Sequence, residues 1–164
     1  MRKLFSTALS ILFIFMFLRT YLPAQEQNEP SSYEAVLSYV IDGDTAVFIV
    51  NNQEQKVRFI GIDCPEDTTT KEEYGDVATA YTKKILEEAN TIRLEVESNA
   101  DRQDKYERYL YWVYVDDVLL EELILLQGLA EVKYLNDNYQ YTIELYDAEN
   151  IAKQNKLNIW SNYE

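Results

Sequence analysis

The chain has no histidine, a single cysteine (Cys64) and a shortage of positive charge: 15 lysines and arginines stand against 29 aspartates and glutamates, a net −14 over 164 residues. Without histidine, paired-imidazole ribonuclease chemistry, Ser-His-Asp triads and the usual zinc hydrolase sites are excluded. One cysteine rules out an intramolecular disulfide, so the fold must be held by its core alone. No histidine exists to activate Cys64, which suits a small packing role better than a nucleophile's. The acidic balance repels polyanions over most of the surface. Any affinity for one has to be local, drawn from a few basic side chains and a bound cation. No internal repeat or low-complexity run is present, and 47% hydrophobic residues suffice for one domain with a real core.

What is present begins with Arg2 and Lys3, an apolar run over about residues 4–18, and then Leu22-Pro23-Ala24. A basic start, a short apolar stretch and a small residue at a cut site read as an export signal over residues 1–24. The run is shorter than the roughly 20 residues a spanning helix needs. Retention as a membrane anchor, with the domain facing outside, is the alternative, because Arg19 follows closely and Leu22 stands where a smaller residue is commoner. Residues 25–32 are polar, contain Pro30 and read as a tether, so the domain is expected over 33–164. Removing the signal takes away Arg2, Lys3 and Arg19 but no acid, leaving 12 basic against 29 acidic side chains, or −17. The bland reading of that surplus is a solvated, self-repelling shell that keeps an exported protein soluble.

Residues 35–41, 45–50 and 56–62 are rich in β-branched and aromatic side chains, and Asn51-Asn52 is a tight-turn pair between the second and third. Asp76 can cap a helix reaching about Ala89, with Val77, Ala80, Tyr81 and Ile85 on one face. Residues 91–97 alternate as a half-buried strand, and 109–115 form a fifth strand dense in aromatics. An apolar helix over 119–127 is closed by Gly128, and a last helix runs over about 142–156. Five strands, one helix between the third and fourth and more helix after the fifth predict an α+β, mainly β fold: a five-stranded OB-type barrel with three helices. Most of the fourteen tyrosines are expected in the core and barrel lining.

Three short segments carry the chemistry. In Asp42-Gly43-Asp44-Thr45, Gly43 is expected to let the chain turn sharply and Asp44 to point a carboxylate inward; an ordinary Asp-Gly hairpin is the competing reading. Asp63, ending the third strand, could converge with Asp44 on a hard cation such as Ca²⁺. Arg58 shares a strand face with Ile60 and Ile62, so it needs a partner. It is either an inward-pointing edge charge or a guanidinium held for phosphate. Cys64-Pro65-Glu66 opens an acidic, threonine-rich loop that places Glu66 on a mobile segment. There its carboxylate could activate a water, or be one more exposed acid. Arg108 is a second guanidinium, or a surface arginine paired with Glu107 or Asp104.

Together these segments resemble the staphylococcal nuclease (thermonuclease) family. The matching blocks are Val40 to Thr45, Arg58 to Glu66, Asp104-Lys105-Tyr106 with Arg108, Gln127-Gly128-Leu129-Ala130 and Lys156-Leu157-Asn158-Ile159-Trp160, in order over about residues 37–160. The resemblance implies an OB-fold barrel with three helices and a Ca²⁺-dependent endonuclease acting on DNA and RNA to leave 3′-phosphate ends, which the export signal would make a secreted one. By position it makes Asp44 and Asp63 carboxylate ligands of Ca²⁺, and Cys64 the residue whose main-chain carbonyl is a ligand. Glu66 becomes the general base, Arg58 and Arg108 the arginines on the scissile phosphate, and Lys105, Tyr106 and Tyr134 the nucleotide pocket. A monomer without a stable protein partner is expected.

The chain departs from the family in three ways. Glu107 stands where the family usually has glycine, Tyr109 replaces a small or aliphatic residue after the arginine, and the surface is acidic instead of basic. If the turn at Glu107 demands positive φ, a non-glycine residue there costs roughly 1 kcal/mol. The acidity predicts weak non-specific DNA affinity and a preference for short or single-stranded substrates. A non-catalytic binding module on the same fold remains the rival, and an acidic extracellular calcium-binding protein a third reading.

Overall fold

The structure is a computed structural model that describes residues 30–162; the predicted signal and nearly all of the predicted tether lie outside the described residues. Strand β1 (Ser32–Asp42) pairs through its first half with β5 (Ile92–Glu95) and through its second with β2 (Thr45–Val50), both antiparallel. Register shifts near Tyr39 and Val40 mark bulges, which let one strand bend between two pairings. From β2 the chain turns at Asn51 and Asn52, with φ of 51° and 63°, into β3 (Gln53–Phe59). Paired positive φ at two asparagines is the geometry that suits the right-handed twist of a hairpin.

Antiparallel β5 and β6 (Tyr109–Val115), and a parallel pairing of β3 with β6 at Val57–Tyr109, close the five long strands into a barrel. That is the predicted mainly β OB-type barrel. A short β7 (Val118–Leu119) extends the sheet from β6. Three helices complete the fold: α1 (Gly75–Glu88), α2 (Leu120–Leu126) and α3 (Thr142–Gln154). Phe48, Phe59, Trp112, Leu120, Ile124 and Leu145 lie in one buried core shared by barrel and helices.

Four expectations are corrected. The strand expected over 56–62 is interrupted: Gly61 takes φ 75°, and Ile62–Asp63 leaves the barrel as β4 to pair with β8 (Glu131–Val132). This break turns Asp63 towards a segment from the far end of the sequence. Helix α1 buries Ala78, Thr82 and Leu86, so its inward face is rotated from the expected one: Tyr81 and Ile85 are half-buried against the core, while Val77 and Ala80 are exposed. Its N-cap is Tyr74 in the left-handed region with no side-chain cap; Asp76 sits inside the first turn, where its charge still favours the helix dipole. The acidic surplus is also not only a shell. Glu97, Glu121 and Glu149 are buried, and each accepts backbone N–H groups.

The expectation for tyrosine holds in the main. Tyr111 is buried and Tyr33, Tyr109, Tyr114, Tyr139 and Tyr141 pack against the core, whereas Tyr39, Tyr106, Tyr134 and Tyr146 stay exposed.

Candidate active site

A cleft of about 710 Å³ opens where the β1–β2 turn, the β3–β4 junction and the loop before β6 meet. Its lining includes Asp42, Asp44, Arg58, Asp63, Glu66, Asp104, Lys105, Tyr106, Arg108 and Tyr134. Four segments separated in sequence, the last carrying Tyr134, therefore contribute to one site.

The β1–β2 turn is short because of what lies beneath it. A Cβ on Gly43 would fall 2.7 Å from Cys64 Cβ and 2.9 Å from Ala78 Cβ. Close approach of α1 and β4, and not the positive φ that a sharp turn would need, is what makes glycine necessary here, which corrects the expected reason. Thr82 Oγ1 ties α1 to the turn by donating to the Gly43 carbonyl at 2.6 Å. Asp44 is thereby buried, with Oδ1 accepting from Thr45 Oγ1 at 2.9 Å and Oδ2 from the Cys64 backbone N–H at 2.8 Å. The main-chain contact of Cys64 with Asp44 runs through its N–H; its side chain packs in the core, as expected.

Arg58 is the centre of charge. Its Nη1 lies 2.6 Å from Asp44 Oδ1 and its Nη2 2.8 Å from Asp63 Oδ1, so one guanidinium draws both carboxylates together. Burial pushes the Asp44 carboxyl up to about 7; Arg58 opposes that shift and the neighbouring Asp42 adds to it. Arg58 Nη1 is thus ion-paired with Asp44 at 2.6 Å, although the contact is not an aligned hydrogen bond.

Arg108 is positioned by Asp104. Asp104 Oδ1 accepts the backbone N–H groups of Tyr106 (2.9 Å) and Arg108 (3.0 Å), and Oδ2 accepts Arg108 Nε at 2.7 Å with Nη2 also at 2.7 Å. Burial would raise the Asp104 carboxyl, but hydrogen bonds from the Arg108 backbone and side chain and from Tyr106 N–H outweigh it and hold the group below its ordinary range. The partner of Arg108 is therefore Asp104, not Glu107. Sequence reading weighed Asp104 only as a competing partner, although an Asp two residues before a Tyr in a turn is the signature of a side chain closing that turn.

Glu107 has φ 63°, so the condition for a strained turn is met. Glu107→Gly is expected to raise stability by about 1 kcal/mol, an increase in Tm of roughly 3 °C by thermal unfolding. An unchanged or lower Tm would show that glutamate makes compensating contacts.

Glu66 is exposed on the rim of the cleft. Its loop is more strongly tied than its sequence suggests: Glu66 N–H donates to Glu72 Oε2 at 3.0 Å, Glu72 N–H returns to the Glu66 carbonyl at 2.9 Å, and Lys71 lies 3.3 Å from Asp67. Tyr106 and Tyr134 are 66% and 80% exposed beside the cleft, which marks them as surface groups and not core. Lys105 Nζ lies 4.9 Å from the Tyr106 ring centre and Arg108 Cζ 5.5 Å from it, cations over an aromatic face.

Sequence reading missed Lys133, whose Nζ lies 2.9 Å from Asp63 Oδ2, and Asp42, whose Oδ1 accepts the Asp44 N–H at 3.2 Å. Asp42 was visible as the first acid of the Asp-Gly-Asp pair; nothing local to Lys133 pointed to Asp63, 70 residues away.

Among the described residues no group of three or more His, Cys, Asp and Glu side chains forms a metal-ligating cluster. The donors that do meet, Asp44 and Asp63, are hard carboxylate oxygens drawn together by Arg58. Two carboxylates with room for water suit a hard cation of high coordination number.

A closed five-stranded barrel whose rim gathers two arginines and several carboxylates from three loops defines an OB-fold protein with a charged, anion-directed site. The family model described as staphylococcal nuclease homologue matches residues 56–162, and the chain belongs to that family. It is 32% identical to a thermonuclease of Staphylococcus intermedius over 154 residues, covering 92% of this chain and 90% of that protein. A thermonuclease of Staphylococcus hyicus is 35% identical over 75% of this chain and 73% of its own length. Endonuclease YncB of Bacillus subtilis is also 35% identical, over 82% of this chain and 65% of its own.

Proposed function

We propose that the chain is a Ca²⁺-dependent endonuclease that hydrolyses phosphodiester bonds of DNA and RNA to 3′-phosphate ends. The observation that carries this reading is the single cleft that gathers Arg58, held between Asp44 and Asp63, together with Arg108 and Glu66. The names of the relatives, thermonuclease and endonuclease, support it.

In this reading Arg58 from strand β3 and Arg108 from the loop before β6 bind the scissile phosphate and match the charge that grows on its oxygens. Glu66 takes the proton from a water aimed at phosphorus. Tyr106 and Tyr134 stack on bases and Lys105 faces the backbone, which explains exposed rings at a charged cleft. Ca²⁺, which Asp44 and Asp63 would hold with the Cys64 carbonyl nearby in sequence, would supply charge neutralisation at a phosphate oxygen. The basic, apolar start of the sequence supports export, with anchoring as the alternative. Among the described residues no helix is long and apolar enough to cross a membrane. A monomer would suffice, because every proposed site residue comes from one chain.

The test is cleavage of single-stranded DNA, duplex DNA and RNA by the full-length chain, in Ca²⁺ and in a calcium chelator. The expected result is cleavage only with Ca²⁺, fastest on single strands because the acidic surface resists a duplex. Cleavage undiminished by chelation would remove the metal from the reaction. The rival, a non-catalytic module, is favoured by the close pairing of Arg108 with Asp104. Nucleic-acid binding without any cleavage by the folded, calcium-treated protein would select it.

A further inference from the structure

Asp63 receives two protein cations, one on each oxygen. Arg58 Nη2 lies 2.8 Å from Oδ1 and Lys133 Nζ 2.9 Å from Oδ2. The same ammonium is 3.5 Å from Glu131 Oε2. Lys133 is placed there by backbone structure: its N–H donates to the Gly61 carbonyl at 3.0 Å, and the β4–β8 pairing sets Asp63 opposite Glu131. The role proposed for Arg58 on phosphate leaves Lys133 unused.

The two cations differ in freedom. The Arg58 side chain is 10% exposed and fixed between two carboxylates, whereas that of Lys133 is 44% exposed. Only the lysine has a path away from Asp63. A second cavity of about 280 Å³ beside it is lined by Lys133 together with Glu72, Glu73 and Glu131, so a displaced ammonium remains among acids. Moving it off Asp63 therefore does not require an unpaired charge.

We propose that Lys133 is a tethered competitor for the calcium site: its ammonium holds the oxygen of Asp63 that an incoming divalent cation needs, so the ion binds only by displacing it. The inference rests on the reading of Asp44 and Asp63 as ligands of Ca²⁺. The lysine neutralises Asp63 in the metal-free protein and raises the calcium concentration at which the site fills. A cell interior poor in free calcium would keep such a site closed by the lysine, and a calcium-rich exterior would open it.

The test is calorimetric titration of Ca²⁺ into the full-length chain, into Lys133→Met, which keeps the stem and removes the charge, and into Lys56→Met. Lys56 is exposed on β3 and serves as a control for net charge. Lys133→Met is expected to bind Ca²⁺ about tenfold more tightly, from the loss of one nearby positive charge and one partly exposed ion pair. Lys56→Met should stay within about twofold of the parent, its charge being screened by solvent and salt. The Tm gap between calcium-loaded and chelated protein should widen for Lys133→Met alone. Equal calcium affinity in the parent and Lys133→Met overturns the competitor role while leaving the calcium reading in place. Weaker binding by Lys133→Met overturns it too, and makes the lysine a support of the site. Absence of heat and of any Tm change in all three proteins overturns the calcium reading and the inference with it.

Discussion

Glu66→Gln is expected to slow phosphodiester cleavage by roughly 10³-fold with no loss of folding, because general-base catalysis contributes on the order of 10²–10⁴. The amide has the carboxylate's shape but does not take a proton at neutral pH. Structure argues that the change is silent for stability. The Glu66 side chain is exposed, its carboxylate accepts a weak 3.3 Å hydrogen bond from Thr68 Oγ1, and the loop is held through the Glu66 backbone by Glu72. Single-turnover rates in saturating Ca²⁺ measure the effect, and thermal unfolding checks the fold. A loss of less than about tenfold would assign the proton to another group or to solvent.

Arg108→Ala is expected to reduce kcat/KM by roughly 10²–10³-fold, the range for removing one preorganised donor from a developing charge. Arg108→Lys should recover only a small part, since an ammonium lacks the planar fork that matches two phosphate oxygens. Arg108 is a cleaner probe than Arg58. Removing Arg58 would leave Asp44 and Asp63 facing each other, and breaking a buried pair in this way costs roughly 3–5 kcal/mol and risks unfolding. Without the Arg108 side chain, Asp104 still closes its turn through the backbone N–H groups of residues 106 and 108. A variant that loses only KM, with kcat intact, would make Arg108 a binding group and not a stabiliser of the transition state.

The five long strands were legible because they concentrate β-branched and aromatic side chains, with plain alternation in the strand at Ile92–Glu95, and Asn51-Asn52 and Gly128 are turn and cap chemistry that needs no tertiary partner. The barrel followed from their order. Legibility failed where a choice depends on distant atoms. Which face of α1 is buried is decided by the Gly43 turn it covers, and the small residues Ala78 and Thr82 fit there where larger apolar ones do not. The departure of Ile62–Asp63 from β3 depends on a partner strand at residues 131–132.

At the site, Asp44, Asp63, Arg58, Glu66 and Arg108 were named from sequence, and the fold brings them to one cleft. Of their partners only Asp104, for Arg108, was offered by the sequence, because acids buried for structural reasons look like surface acids in a chain holding 29 of them. Glu97 is the clearest case. It accepts from Trp112 Nε1, Asn99 N–H and Gln140 N–H, joining β6 to two loops that have no other marker in sequence.

Cys64, described above as filler beneath the Gly43 turn, gives the protein a built-in reporter. Its thiol is buried, burial first and Asp44 second push its ionisation well above the ordinary range, and no other cysteine exists. Cys64 packs closely beneath Gly43, so the rate at which the native protein is alkylated is expected to rise when the β1–β2 turn loosens from α1. The same junction holds Asp44 through the Cys64 N–H, so the native cysteine reports on the packing beside the cleft with no residue introduced for the purpose.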